Sequence, residues 1–409
     1  MRILWLQLYY ATPDGWGSQR THAFARKFVA AGHTVDVLCS AAYDPSLAGR
    51  DRIERDGVRV FVSGTHYRQQ MGFFRRVMAF LRFMLQSAFF VLRHGRSYDV
   101  MIASSGPLTM SVPALLGRWI HKLPFIFEVI DVWPDAAIEA GVLKNPVLKA
   151  AAFRLEALAY KNATRIVTCS TGMTARIIRK GVGADKVATI PNCSDPADFT
   201  QGLARRTETR REQGVTDGRL VVFYLGAMGR SNAIEDVCNA VRATADDARI
   251  VWWFAGNGTE APQLKELAAK TGGRFFGCIS SRERMTAVCA AADVGVISFM
   301  HAPLFYENSP NKFFDYIAAG LAVVFNRTTW LGDAVTEYDN GCVCTSAQPG
   351  AEMAVFLKRL AAEPETLERM RQSSRRMAAE RFDHDRTTLE YQQLLESVQS
   401  RLTHEGRAA

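Results

Sequence analysis

The sequence contains no uninterrupted apolar run of 18 residues, so it predicts no transmembrane helix. It also has no C-x-x-C pair among its eight cysteines, and their spacing matches no zinc-binding pattern. Free thiols in a reducing cytosol are therefore expected, without a disulfide framework. No small-residue cleavage site follows the short apolar run after Met1, which is expected to form a buried first strand and not a signal peptide. These absences favour a globular, cytoplasmic protein.

Acidic residues are missing from the whole segment between Gly57 and Tyr98, which carries seven arginines. The chain has a formal net charge of +9, and excess positive charge suggests an anionic partner: nucleic acid, anionic lipid or a phosphorylated ligand. No recognised nucleic-acid-binding motif accompanies the basic segment, and its bulk is apolar. Nucleic acid is therefore the least favoured of the three partners.

Residues 67–96 have the pattern of a long basic and apolar helix. Arg75, Arg82, Gln86 and Arg93 are spaced by seven, four and seven residues, which places them on one narrow stripe of a surface that is otherwise apolar. A wide apolar face rimmed by arginine is typical of a helix that lies in the interface of an anionic bilayer, here the inner leaflet of the cytoplasmic membrane. The alternative is a buried helix of the first domain whose arginines reach solvent.

A length of 409 residues, with 48% hydrophobic and 22% charged residues, predicts two folded domains. Short β-rich segments alternate with helical segments in both halves, which indicates an α/β protein with two mostly parallel, doubly wound sheets. Strands are predicted at Ile3–Leu8, Val35–Cys39, Val58–Val62, Val100–Ala103, Phe125–Ile130, Arg165–Cys169, Val187–Ile190, Leu220–Leu225, Ile250–Ala255, Arg274–Cys278, Val294–Phe299, Ala322–Phe325 and Cys342–Thr345.

The alternation of strands and helices is interrupted once, by the polar segment Cys193–Gly218, which is interpreted as a linker followed by a first polar helix. The expected domains are therefore residues 1–198 and 215–380. A final helix over residues 382–403 is expected to pack back on the first domain. In such sheets ligands bind at the carboxyl ends of the strands, where helix N-termini suit phosphate groups.

Two glycines, Gly15 and Gly17, lie in the turn after the first predicted strand, and a helix is expected to begin near Ser18. Glycine lets the backbone approach a ligand closely, and the first turn of a helix offers free N–H groups. The G-x-G spacing lacks the third glycine of a dinucleotide-binding motif, so an ordinary strand-to-helix turn is the alternative.

Two carboxylates belong to the segment FIFEVIDVWPDA: Glu128 lies within the predicted strand and Asp131 at its end. A carboxylate just past the carboxyl end of a parallel strand points toward the ligand-binding edge, which makes Asp131 a candidate site residue. For Glu128 a buried arginine partner is an equally good interpretation.

The segment HAPLFYENSPNKFFDYIAAG has the most specific pattern in the sequence. A loop after a predicted strand leads into a helix that begins near Asn311, and this start carries Ser309, Asn311 and Lys312, groups suited to a diphosphate. Glu307 precedes Asp315 by an E-x7-D spacing, and Asp315 can accept two hydrogen bonds from a vicinal diol such as a ribose.

This pattern resembles the E-x7-E motif of the family-4 retaining glycosyltransferases, which have the two-domain GT-B fold. The wording SPNKFFDYIAAG is similar to a branch of that family that builds O-antigens, capsules and other surface polysaccharides. The segments FEVIDVWPDAAIEAGVLKN, IPN and LGAMG, and the basic helix, are similar to the same branch. The resemblance covers nearly the whole chain and implies two facing Rossmann-like domains with a cleft between them.

The resemblance implies a role for each candidate residue at the donor. Glu307 would contact hydroxyls of the donor sugar, and Asp315 would hold the nucleotide ribose. Lys312 and Arg230 would balance the charge of the departing diphosphate, with Ser309 and Asn311 beside them. Gly15 and Gly17 would line the cleft near the donor phosphates, and Asp131 would lie near the reacting centre or the acceptor.

Three positions depart from the family pattern. Asp315 is one methylene shorter than the usual glutamate, which shifts its reach toward the ribose. Ala227 and Met228 stand where an arginine or lysine is common, so Arg230 is the expected substitute. Cys193 replaces the glycine that usually follows IPN, so that turn must form differently.

No D-x-D metal cluster is found, and basic side chains with helix N-termini can stabilise a leaving diphosphate without a cation. No cofactor and no essential metal are therefore expected. The family implies a front-face reaction with retention, a UDP-linked hexosamine or deoxyhexosamine as donor, and a lipid-linked or glycan acceptor. A nucleotide-sugar 2-epimerase of the same fold and a non-catalytic membrane-associated protein are the alternatives.

Overall fold

The inner strands of the first sheet are apolar, largely β-branched and aromatic, and they are buried on both faces, as in a parallel sheet covered by helices. The structure, a computed structural model, describes residues 1–15, 19–67, 71–139, 141–215, 218–279 and 281–405. Its first elements are β1 (Arg2–Leu6), α1 (Arg20–Ala30), β2 (Thr34–Ser40), β3 (Arg52–Arg55), β4 (Val58–Ser63), α2 (Phe73–His94), β5 (Val100–Ser104), α3 (Ser111–His121), β6 (Phe125–Val129), α4 (Asp135–Glu139), α5 (Pro146–Asn162), β7 (Arg165–Thr168), α6 (Thr171–Arg179) and β8 (Val187–Thr189).

The strand order of this sheet is β3-β4-β2-β1-β5-β6-β7-β8, and every described pair is parallel except β3 with β4. β3 was not among the predicted strands. It pairs with β4 through a tight turn in which Asp56 and Gly57 both have positive φ, 52° and 74°. An Asp-Gly turn of this kind is a hairpin signal that the polar sequence of β3 obscures.

The second sheet repeats the pattern with its own helices. Its elements are α7 (Thr200–Ala204), α8 (Arg206–Glu212), β9 (Leu220–Leu225), α9 (Ile234–Thr244), β10 (Ile250–Ala255), α10 (Ala261–Thr271), β11 (Arg274–Phe275), α11 (Arg282–Ala291), β12 (Val294–Ile297), α12 (Asn311–Ala318), β13 (Ala322–Phe325), α13 (Trp330–Tyr338), β14 (Gly341–Val343), α14 (Pro349–Ala362) and α15 (Pro364–Arg381). The strands are parallel in the order β11-β10-β9-β12-β13-β14.

The contacts divide the chain into two units, Met1–Pro191 with the chain from Asp385 onward, and Asn192–His384. The segment expected to be a linker, Cys193–Gly218, thus belongs to the second unit. Its Phe199 is fully buried in that unit's core, and Arg210 donates a 2.9 Å hydrogen bond to the carboxylate of Asp293. The first unit consequently ends at 191 and not at 198, and the second begins well before 215.

The last helix, α16 (His384–Glu405), packs on the first unit, of which it is part. Tyr391 is fully buried, and its ring lies 5.3–6.0 Å from the rings of Trp5, Phe24 and Phe28. This aromatic cluster shows why a helix at the end of the chain is stable there.

Candidate functional site

Three glycines shape the loops that follow β9 and β10 at the carboxyl edge of the second sheet. Gly226, Gly256 and Gly258 have φ values of 111°, 143° and 155°, a region that side chains disfavour. A Cβ on Gly256 would lie 1.8 Å from the Gly226 carbonyl oxygen, and one on Gly258 would lie 2.1 Å from that of Met228. These loops therefore require glycine. Gly256 and Gly258 were not among the predicted site residues, although a Gly-Asn-Gly after a buried strand is a signal of the same kind as Gly15 and Gly17.

Lys312 lies in the first turn of α12 and faces the loop after β9. Its ammonium Nζ is buried, has no hydrogen-bond partner within the described residues, and lies 4.2 Å from the centre of the Tyr224 ring. Burial disfavours the charged form and lowers the pKa of Lys312 to about 7. A Cβ on Gly226 would come within 3.3 Å of Lys312 Cε. The ammonium thus lies beside a glycine loop, and no described residue supplies it with a counter-ion.

The loop before α12 supplies a second unsatisfied group. The Ser309 hydroxyl is buried and has no hydrogen-bond partner in the part of the chain described. Pro310 stands at the N-cap of α12, and no side chain caps the free N–H groups of the first turn. Asn311 is exposed. An ammonium, a hydroxyl and helix N–H groups within four residues make a binding site suited to an anion with several oxygen atoms.

Arg230 is exposed and begins a single 3-10 turn, Arg230–Asn232, after the β9 loop. Among the described residues its side chain has no ion-pair or hydrogen-bond partner, so the guanidinium can bind a ligand. A substitute for the missing arginine or lysine needs both properties, an exposed side chain and a guanidinium that no described residue already binds.

Glu307 is buried in the loop that leads into α12. The loop is fixed on either side of it, because Tyr306 donates to Asp333 at 2.8 Å and the Trp330 indole N–H donates to the Asn308 carbonyl at 2.8 Å. The structure therefore places Glu307, Ser309 and Lys312 on one ordered segment.

Asp315 is held by residues that the sequence analysis did not select. Its Oδ1 accepts hydrogen bonds from Ser194 Oγ at 2.7 Å and Arg282 Nη1 at 2.8 Å. Arg282 also contacts Ser194 at 2.8 Å and forms an ion pair with Asp198 at 3.1 Å. Both of these hydrogen bonds use Oδ1. The ribose contact expected for Asp315 would therefore use Oδ2. No sequence pattern distinguishes Arg282 from the other arginines of the chain.

In the first unit, Asp131 follows β6 and is exposed to solvent. The surrounding protein nevertheless desolvates its carboxyl group, which raises the pKa of Asp131 above its usual value. Its backbone carbonyl accepts a 2.9 Å hydrogen bond from Ser105 Oγ, which fixes the loop after the strand. The structure thus places Asp131 at the carboxyl end of β6, as the sequence predicts.

Gly15 lies in a turn that has no room for a side chain. A Cβ there would lie 2.8 Å from both Ala11 Cβ and the Tyr43 carbonyl oxygen. The turn is anchored because Asp44 accepts hydrogen bonds from the N–H and hydroxyl of Thr12 at 2.8 and 2.5 Å. Gly17 and the expected cap Ser18 lie outside the described residues.

Two sequence families match this chain, one on each unit. Residues 17–193 match the Glycosyl transferase 4-like domain, and residues 219–363 match Glycosyl transferases group 1. Together the two matches cover most of the chain. The chain belongs to the glycosyltransferases. The resemblance to family 4 is confirmed at this level.

This glycosyltransferase aligns with curated proteins that include one from Escherichia coli and one from Mycobacterium tuberculosis. A protein of Escherichia coli K12 named for colanic acid biosynthesis, glycosyl transferase WcaI, is 23% identical over 286 residues, which are 66% of this chain and 70% of that protein. A GDP-mannose-dependent α-(1-6)-phosphatidylinositol dimannoside mannosyltransferase of Mycobacterium tuberculosis is 28% identical over 223 residues, 54% of each chain. The second alignment thus spans about half the length of that relative.

The fold is similar to that of Anabaena HepE, solved in complex with UDP-glucose. The two structures superpose with a TM-score of 0.70 at 16% identity, covering 97% of this chain and 100% of HepE. With the two parallel sheets, this confirms the GT-B fold class.

The other carboxylate of the glycosyltransferase's FIFEVIDVWPDA segment, Glu128, has a structural partner. It is fully buried on β6 and pairs with Arg20 Nε at 3.0 Å, while Ser104 donates to it at 2.6 Å. Arg20 also donates to the carbonyls of Ile190 and Pro191. Glu128 therefore has a buried arginine partner, which was one of the two interpretations that the sequence allowed.

The basic helix α2 has two apolar faces. Phe83 and Val91 are fully buried in the core of the first unit, whereas the opposite face exposes a stripe of large apolar side chains spaced by three or four residues. The stripe consists of Phe74, Met78, Leu81, Leu85, Phe89 and Leu92. Residues 68–70 at the start of the predicted segment lie outside the described residues.

By length and composition alone, the segment Phe74–Ser97 could cross a membrane. However, α2 connects β4 to β5, two strands of one sheet, and buries Phe83 and Val91 against it. Insertion across a bilayer would remove these residues from the core. The position of α2 therefore favours a helix that stays part of the α/β unit.

Proposed function

We propose that this chain is a retaining glycosyltransferase that transfers a hexosamine or deoxyhexosamine from a nucleotide diphosphate sugar, with UDP as the expected nucleotide, to a lipid-linked or glycan acceptor in the synthesis of a surface polysaccharide. The observation that carries the proposal is the buried ammonium of Lys312, which lacks a partner among the described residues. A buried cation is costly unless an anion neutralises it. A diphosphate at the start of α12 would also accept from Ser309.

Three of the similar proteins bear on the substrate class. WcaI is named for colanic acid biosynthesis, which is in keeping with an acceptor on a bacterial polysaccharide. HepE was solved with UDP-glucose, while the mycobacterial mannosyltransferase is named as GDP-mannose-dependent. The similar proteins thus use different nucleotides, and the choice between UDP and GDP is tested directly below.

In the proposed mechanism the sugar–phosphate bond breaks as the acceptor oxygen approaches from the same face of the sugar. The leaving phosphate oxygen takes the acceptor proton, so the configuration is retained. Lys312, Arg230 and the N–H groups of α12 stabilise the charge that develops on the diphosphate. Glu307 would hold hydroxyls of the donor sugar, and Asp131 would act on the acceptor. Because these positive groups can neutralise the charge of the leaving diphosphate, the proposed reaction requires no metal ion.

The first unit supports a position at the inner face of the cytoplasmic membrane. The exposed stripe of α2 includes Phe89, which is 67% exposed, and the neighbouring helices α3 and α5 add further apolar side chains. Trp119 at the end of α3 is 56% exposed and donates to Asn162 of α5 at 3.2 Å. Apolar surface of this kind beside Arg75 and Arg82 suits an anionic bilayer.

The donor proposal is tested by the thermal stability of the purified protein with UDP, GDP, ADP and CMP. A ligand that binds only the folded state raises the melting temperature by mass action. We expect UDP to give the largest rise, and Lys312→Met and Asp315→Ala to lose it. Lys265→Met replaces an exposed lysine of the same unit and should keep the full rise. No rise with any nucleotide would contradict the proposal.

Turnover distinguishes the proposed transferase from its two alternatives. Incubation with UDP-sugars and lipid-linked acceptors should release UDP and extend the acceptor with retained configuration. A 2-epimerase would convert the UDP-sugar without releasing UDP, and a non-catalytic protein would do neither. An inverted product would contradict the front-face mechanism.

The membrane position is tested by co-sedimentation with vesicles containing anionic phospholipid. Leu85→Ser and Phe89→Ser should reduce binding at least tenfold, because each removes exposed apolar area. Val355→Ser, a change of an exposed valine in the second unit, should have no effect. Equal binding of all variants would contradict the assignment.

A further inference from the structure

Two cysteines lie side by side at the edge of the second sheet. Cys342 is on the edge strand β14 and Cys344 directly follows it, and residues two apart on a strand project from the same face. The two Sγ atoms and a carboxylate oxygen of Glu352, on α14, all lie within 4.8 Å of one another. This cluster is not used in the proposed transfer reaction.

The carboxylate of the cluster is fixed in position. Glu352 Oε2 accepts hydrogen bonds from the backbone N–H groups of Thr345 and Ser346 at 3.0 and 2.9 Å. Cys344 is buried, whereas Cys342 and Glu352 are partly exposed, so a small ion can reach the cluster from solvent.

Two thiols and one carboxylate with an open side are a donor set for zinc. Zinc bonds to cysteine sulfur at about 2.3 Å and to carboxylate oxygen at about 2.0–2.2 Å. Tetrahedral geometry then separates two sulfur ligands by about 3.8 Å, so the cluster needs to contract by no more than about 1 Å. Thiolate ligands favour zinc over magnesium or calcium.

We propose that Cys342, Cys344 and Glu352 bind one zinc ion, with water as the fourth ligand, that ties the edge strand β14 to α14. The thiols lose their protons to solvent when the ion binds. The site stabilises the second unit and is separate from the metal-free transfer proposed above. The cysteine spacing matches no zinc pattern, because the third ligand is a glutamate eight residues after the second cysteine.

The test uses tag-free, full-length protein stripped of metal with EDTA and kept reduced with a phosphine. Added Co²⁺ should give a thiolate-to-cobalt absorption band that saturates at one equivalent and disappears when Zn²⁺ is added. Cys342→Ser should lose the band, and Glu352→Gln should weaken binding at least tenfold. Cys278→Ser, which removes an exposed thiol of the same unit, should bind like the original protein.

A second measurement guards against misfolding of the variants. Zinc should raise the melting temperature of the metal-free protein but not that of Cys342→Ser, whose circular dichroism should match the original. The proposal is overturned if no thiolate–cobalt band appears, if the band survives in Cys342→Ser, or if mass spectrometry of the unreduced protein finds Cys342 and Cys344 joined as a disulfide.

Discussion

Replacing Lys312 with methionine should stabilise the ligand-free protein and at the same time abolish nucleotide binding. Burial lowers the pKa of Lys312 from 10.5 to about 7. Each pKa unit corresponds to about 1.36 kcal/mol, so burying the fully protonated ammonium costs about 5 kcal/mol. At pH 7, where half of the folded molecules have lost the proton, the cost is about 4 kcal/mol. Methionine keeps a long apolar side chain over Tyr224 without this charge.

The pH dependence has a definite sign. Between pH 7 and 10.5 the unfolded chain holds the Lys312 proton more tightly than the folded chain, so the stability of the original protein rises with pH relative to Lys312→Met. The advantage of the variant should fall from about 4 kcal/mol near pH 7 to about 2 kcal/mol near pH 9. Urea unfolding of both proteins without ligand, at pH 7, 8 and 9, measures this difference.

The same protonation equilibrium should make the affinity for UDP fall as the pH rises. A bound diphosphate favours the protonated ammonium, so the original protein should take up close to one proton when UDP binds at pH 8. Above pH 7 its affinity for UDP should then fall by about tenfold per pH unit. Calorimetry in two buffers of different ionisation enthalpy measures the uptake. The reasoning is refuted if the affinity is flat between pH 7.5 and 9, or if Lys312→Met binds UDP as tightly as the original protein.

Three further changes test other parts of the structure. Arg282→Met leaves the buried carboxylate of Asp315 without its guanidinium and should cost about 3 kcal/mol in urea unfolding, part of which Asp315→Asn in the same protein should restore. Gly256→Ala should lower both the melting temperature and UDP binding, whereas Gly272→Ala, at positive φ but in open space, should cost only about 1 kcal/mol and leave binding intact. Tyr391→Ala should destabilise the first unit by about 3–5 kcal/mol, seen as an earlier transition in calorimetry.

The parallel strands could be predicted from the sequence because they are buried on both faces and therefore read as continuous apolar runs. Leu220–Leu225, Ile250–Ala255 and Ala322–Phe325 have the bounds expected from their sequence. β3 could not be found this way, since Arg52–Arg55 is an exposed edge strand whose residues carry no apolar pattern. Its evidence is the Asp-Gly turn, which becomes meaningful only once β4 is paired with it.

The polar segment after residue 192 was misjudged for a related reason. Its arginines suggest a solvated linker, yet Arg206 and Arg210 are partly or fully buried against Asp293 and backbone carbonyls at the start of β12. Charge at the sequence level cannot reveal a partner 80 residues away. The same holds for Arg282, whose selection requires knowing that Asp315 lies opposite it.

The residues chosen from their sequence patterns differ in one property that the sequence alone does not show, which is whether their buried polar atoms have a partner. Lys312 and Ser309 are the members of their segment whose polar atoms the fold buries without a partner inside the described ranges, while Asp315 and Glu128 are each held by an arginine. Buried groups that are already paired resist change, and a buried unpaired cation gains most from an anion. The free energy that burial of the Lys312 ammonium costs the ligand-free protein is therefore recovered when a diphosphate binds.

Once the sugar has been transferred, release of the nucleotide must again leave the ammonium unpaired. Deprotonation of Lys312 near pH 7 lowers that cost, so nucleotide release should become faster as the pH rises from 7 to 9. Stopped-flow displacement of a fluorescent UDP analogue would measure the release rate. A release rate that does not change with pH would show that Lys312 does not hold the diphosphate.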